Sequence, residues 1–134
     1  MPQDLMAAES PHLEVTVFLA TDSKKTFAPA PKHDAFGLRK AFEGKGFNFF
    51  YRLNHHTLTF GTTDVETLVL PGKRRVVFKY RTFRNQQQIY EFTLPDFQVK
   101  ATLKIPLGQT LYQAGIEHNG GTVILRIRAK KSMR

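Results

Sequence analysis

Pro71-Gly72-Lys73-Arg74, followed by Arg75-Val76-Val77-Phe78-Lys79-Tyr80-Arg81-Thr82-Phe83, reads as a tight turn and then an alternating strand. Pro fixes φ at the second position of a type II turn, and Gly supplies the positive φ of the third. Beyond the turn, Val76, Phe78 and Tyr80 fall on one side and Arg75, Val77, Lys79 and Arg81 on the other, because successive strand side chains point to opposite faces. Val65–Leu70, before the turn, has the same strand character, so the spacing predicts a hairpin.

The pattern continues in both directions. Arg84-Asn85-Gln86-Gln87 reads as the next turn, into a strand over Gln88–Leu94. Pro95-Asp96 breaks that strand, and Phe97–Ile105 follows. There Phe97, Val99, Ala101, Leu103 and Ile105 alternate with Gln98, Lys100, Thr102 and Lys104. Residues 106–118 are less regular, with room for a short helical turn. Asn119-Gly120-Gly121 is a strong turn signal. The last strand, Thr122–Ala129, sets Val123, Leu125, Ile127 and Ala129 inward against Thr122, Ile124, Arg126, Arg128 and, just beyond, Lys130. Thr110-Leu111-Tyr112-Gln113-Ala114-Gly115-Ile116 with Thr122-Val123-Ile124-Leu125-Arg126-Ile127-Arg128 resembles the closing segment of ubiquitin-like domains. That family's hairpin–helix order does not precede it, and the segment is treated as a local strand pattern.

Towards the N-terminus, residues 1–11 read as a polar, disordered arm. His12–Ala20 alternates Leu13, Val15, Val17 and Leu19 against Glu14, Thr16 and Phe18, a strand of period two. Residues 21–33 form a loop with Pro29 and Pro31, which Phe27 would pin to the core. Asp34–Glu43 is the one helix, with Asp34 as N-cap, Ala35, Leu38, Ala41 and Phe42 on one face, and Gly44 and Gly46 ending it. Phe47–Leu53 and Thr57–Thr62 are two strands joined at an Asn54-His55 turn. The whole is mainly β: an antiparallel sandwich or barrel of about eight strands with one short helix over 34–43. Residues 12–129 form a single domain, and 130–134 a mobile basic tail.

The length of 134 residues suits one domain. The absence of Cys excludes disulfides and thiolate metal sites. No apolar run approaches the roughly 18 residues of a membrane-spanning helix, and the start has no signal-peptide pattern. A soluble intracellular protein, cytoplasmic or nuclear, or a virion component is expected.

Net charge is +9, from 20 basic and 11 acidic residues. Nearly all of the excess lies beyond residue 60. If the strands share one sheet, Arg75, Lys79, Arg81, Lys100, Lys104, Arg126, Arg128 and Lys130 line one surface, with Glu91 as the obvious neutralising acid. One-sided charge of this kind draws polyanions. The expected function is non-catalytic binding of a polyanion, above all RNA or DNA, with phosphate contacts giving affinity without sequence preference. Phe50, Tyr51 and Phe83 are candidates for solvent-facing stacking platforms.

Two alternatives follow from the same residues. A structural or assembly subunit of a virion, matrix or larger complex would use protein contacts, possible homo-oligomers and an anionic membrane surface, with Val77 and Ile124 exposed among the cations. A metal-independent ribonuclease would use His55, His56 or His118 beside Arg or Lys. Otherwise the chain carries no catalytic pattern. Its serines, Ser10, Ser23 and Ser132, stand in no nucleophile elbow. Glu66, Glu91 and Asp96 form no recognisable carboxylate pair. Gly120-Gly121 lacks the Lys-Ser/Thr of a phosphate loop. His55 and His56, adjacent on a chain, point apart and cannot easily share a metal. No cofactor or metal is expected.

Overall fold

The computed structural model describes residues 10–23, 29–61 and 63–131. Phe27, most of the expected N-terminal arm and the last three residues of the expected tail lie outside them. Eight strands form: β1 (Pro11–Thr21), β2 (Phe49–Thr59), β3 (Val65–Leu70), β4 (Arg74–Arg84), β5 (Gln87–Leu94), β6 (Val99–Pro106), β7 (Thr110–His118) and β8 (Gly121–Lys131). One helix, α1 (Lys32–Ala41), joins β1 to β2. The strands make two antiparallel four-stranded sheets, in the orders β2-β1-β8-β7 and β3-β4-β5-β6. Neither sheet closes into a barrel, and at the β2 edge Pro29 bridges Tyr51.

The count of eight survives, but its members change. Asn54-His55 is not a turn: β2 runs straight through it to Thr59. Residues 110–118 are a strand rather than an irregular stretch with a helical turn. β8 continues to Lys131, so Lys130 and Lys131 are strand residues rather than tail. Phe97 closes a 3-10 turn, Pro95–Phe97, and β6 starts only at Val99. Both Phe97 and Val99 are exposed rather than inward.

By its internal contacts the chain divides into two compact units. One comprises 1–14, 57–111 and 128–134, the other 15–56 and 112–127.

The first unit contains the β3-β4-β5-β6 sheet. The β3–β4 hairpin forms as the Pro71-Gly72 pair dictates. Gly72 takes φ 84°, and the Lys73 N–H donates to the Leu70 carbonyl at 3.0 Å. Asn85 and Gln86 both take positive φ at the β4–β5 turn, the geometry of a two-residue hairpin loop. The inner face buries Leu68, Leu70, Val76, Phe78, Tyr90, Phe92, Leu103 and Ile105. Phe78 meets Phe92 edge-on at 5.4 Å, and Tyr90 packs against Phe60 at 5.2 Å and Tyr80 at 5.5 Å.

In the second unit β1 is buried on both sides. Thr16, Phe18 and Ala20 are as inaccessible as Val15, Val17 and Leu19, so the period-two pattern describes only one covered face. The other is covered by α1, where Leu38 packs with Phe18, Ala20, Phe50 and Ile124. Full burial of a side chain such as Leu38 contributes about 2 kcal/mol. Ile124 and Phe50, expected outside, are therefore core, as is Tyr51. The N-cap of α1 is Pro31, with no side-chain cap. Asp34 sits inside the first turn, and its carboxylate turns to Arg126 instead. Gly37 leaves room for the Tyr112 hydroxyl, which lies 3.1 Å from where a Cβ would stand.

Candidate anion-binding face

The outer face of the β3-β4-β5-β6 sheet follows from its register. Val65, Lys79, Glu91 and Thr102 form one cross-strand row; Thr67, Val77, Thr93 and Lys100 form the next. A third row joins Thr82, Ile89 and Lys104. Directly opposed residues share a face, so Arg75, Lys79, Lys100 and Lys104 project from the same side, and Arg81 joins them at Glu91. Five of the eight cations expected on one surface are brought together here.

A bulge between Tyr80 and Thr82 shifts the phase of β4. Past it, Phe83 stands opposite the buried Gln88, and is half-buried rather than solvent-facing. Arg84 stands opposite Gln87, on the outer side with Thr82 and Ile89, and is exposed. Strict alternation from Arg75 misses it, because an extra residue in a strand reverses every face beyond it.

Among the described residues two carboxylates pair with these six cations. Glu91 lies 3.8 Å from Arg81 and 3.7 Å from Lys100, directly across the ladder from Lys79. Asp96 lies 3.8 Å from the Arg75 guanidinium and accepts from the Arg75 N–H at 3.3 Å. The paired cations remain open, from 50% exposed at Arg81 to 67% at Lys100, so these pairs leave them free to exchange partners; Lys79 is half-buried. At the rim, Arg74 stacks over the exposed Phe97 ring at 5.0 Å.

The face is held from beneath. The Tyr90 hydroxyl donates to Gln88 Oε1, and Gln88 Nε2 donates to the Lys130 carbonyl at 2.9 Å. Burial pushes the Tyr90 phenol well above its ordinary range, and the neighbouring Tyr80 adds to the shift. Tyr80 is raised by burial too.

The other three expected cations are on β8, which belongs to the other sheet, so the eight do not share one sheet. Arg126 is only 16% exposed and donates to Asp34 at 2.6 Å and to Thr16 Oγ1 at 3.4 Å. Its guanidinium lies over the Phe18 ring at 5.3 Å. Arg128 donates to Thr110 Oγ1 at 3.1 Å, and Lys130 pairs with Glu14 at 3.2 Å. His55 Nδ1 meets Thr16 Oγ1 at 2.8 Å. Among the described residues no three His, Asp or Glu side chains gather as metal ligands would, and no helix is long and apolar enough to cross a membrane.

Comparison with protein families, characterised proteins and solved structures finds no match to this chain.

Proposed function

We propose that the outer face of the β3-β4-β5-β6 sheet binds the phosphates of a polyanion, nucleic acid above all, without catalysis. The observation that carries this is the imbalance on that face: Arg75, Lys79, Arg81, Arg84, Lys100 and Lys104 against Glu91 and Asp96. Strands about 4.8 Å apart, rising about 3.3 Å per residue, spread these groups from a few ångströms to about 30 Å of one another along β4, a grid that can meet several phosphates at once. An excess of one sign of charge opposes folding through self-repulsion, and a bound polyanion relieves that repulsion.

The outward-facing residues of these four strands include no aromatic side chain. Bases find no stacking platform on the face itself, so contact is to the backbone, and affinity is indifferent to sequence. Fluorescence anisotropy with labelled oligonucleotides of unrelated sequence, combined with NMR shift mapping, tests this. Affinities agreeing within about threefold and shifts centred on β4 and β6 support the proposal. Shifts confined to other strands, or the absence of binding at low salt, overturn it.

A further inference from the structure

β3 is an edge of its sheet, and its outward side chains, Val65, Thr67 and Val69, carry no charge. Val65–Leu70 contains no Lys, Arg or Pro, and its register with β4 has no bulge. The opposite edge, β6, carries Lys100 and Lys104 and ends in Pro106, the features that protect an edge from pairing.

The hydrogen-bond phase shows what β3 offers. The Tyr80 N–H donates to the Asp64 carbonyl at 2.7 Å, while Val65 stands opposite Lys79. In an antiparallel ladder this makes Val65–Lys79 a pair that exchanges no hydrogen bonds. By alternation Thr67–Val77 and Val69–Arg75 are pairs of the same kind. The backbone groups of Val65, Thr67 and Val69 therefore point away from β4. Those of Val65 are met by the Thr63 hydroxyl, at 3.2 Å on both sides. Those of Thr67 and Val69 meet no partner among the described residues.

This edge is complementary to itself. A two-fold axis at Thr67 sets Val65 against the partner's Val69, Thr67 against the partner's Thr67, and Val69 against the partner's Val65. All three pairs fall in the hydrogen-bonding phase, giving six backbone bonds once Val65 exchanges the Thr63 hydroxyl for the partner strand. The side chains then meet as β-branched pairs, which favour cross-strand contact. Val65 and Val69, now 41% and 59% exposed, cover each other. The nearest cations, Lys79 and the partner's Arg75, are three strand spacings apart, about 14 Å, beyond the Debye length of about 8 Å at physiological salt.

We propose that β3 pairs antiparallel with β3 of a second copy of this chain, making one continuous eight-stranded sheet. The inference concerns the edge and does not depend on the anion-binding reading; if both hold, the dimer joins two basic faces into one.

Sedimentation across a dilution series in high salt tests it. The wild-type mass should rise from 15.3 kDa towards twice that value with concentration, in the absence of nucleic acid. Thr67→Pro removes an N–H that points off the ladder, a position where an edge strand tolerates Pro; it should remain monomeric with an unchanged circular dichroism spectrum. Val69→Lys, which leaves the backbone untouched, should weaken association at least tenfold and carries the test should Thr67→Pro misfold. A wild-type mass of 15.3 kDa at every concentration up to about 1 mM, or undiminished association of Val69→Lys, would overturn the proposal.

Discussion

Arg126 on β8 grips Asp34 on α1 at 2.6 Å, joining residues 92 positions apart in the chain. Both side chains are largely buried, at 16% and 9% exposure, and Thr16 and the Phe18 ring complete the surroundings of the guanidinium. An arginine that alternation places on an outer basic face is thus spent on fastening the helix. Asp34→Asn leaves a buried guanidinium without its counter-charge and should cost about 3 kcal/mol in chemical denaturation. Replacing both partners, as in Asp34→Leu with Arg126→Met, should recover most of the loss, because no buried charge then remains unpaired.

Gly121 opens β8 against the backbone of β1. A Cβ there would lie 2.6 Å from the Ala20 carbonyl oxygen and 2.6 Å from Thr21 Cγ2. The oxygen belongs to a central strand and cannot swing aside. Gly121→Ala should therefore destabilise by about 2 kcal/mol or more, read as a lower denaturation midpoint with an unchanged slope.

Tyr80 and Tyr90 carry a pH dependence of definite sign. Both phenols are held above the ordinary 10.0 by burial, Tyr90 the further. Above about pH 10 the unfolded chain loses these protons while the folded chain keeps them, so stability is full below that pH and falls as pH rises beyond it. Urea titrations at rising alkaline pH should show this decline. Tyr90→Phe should flatten it, at a cost of about 1 kcal/mol at neutral pH for the bond lost to Gln88.

Glu91 is the one carboxylate within the rows of the basic face. Its partners Arg81 and Lys100 are exposed, and surface pairs of this kind contribute little. Glu91→Gln should leave the thermal midpoint nearly unchanged and tighten oligonucleotide binding about three- to tenfold. Weaker binding would mean that Glu91 organises the cations rather than competing with the phosphate.

Where turn chemistry and alternation agree, as in β3, β4 and β5 with Pro71-Gly72 and Asn85-Gln86, the elements were legible in sequence. Edges were not. β2 and β7 are edge strands. Asn54 and His55 lie exposed within β2, and Ile116 is the one fully covered residue of β7, so neither stretch shows the full period of burial. The candidate face was half legible. Arg75, Lys79, Arg81, Lys100 and Lys104 followed from alternation, but the bulge beyond Tyr80 hid Arg84. Which sheet β8 enters depends on pairing between distant segments, which alternation within a strand does not encode.

The most direct measurement is the salt dependence of oligonucleotide affinity for the wild type and two charge-reversed variants. Six cations against two acids leave about four net contacts, so log affinity for a single strand should fall against log salt with a slope of about −3. Lys79→Glu with Lys104→Glu should abolish binding. Arg39→Glu with Lys40→Glu, the same change in net charge on exposed positions of α1, should leave it within about twofold. Equal loss in both variants would show that overall charge, and not this face, attracts the polyanion, and would contradict the assignment.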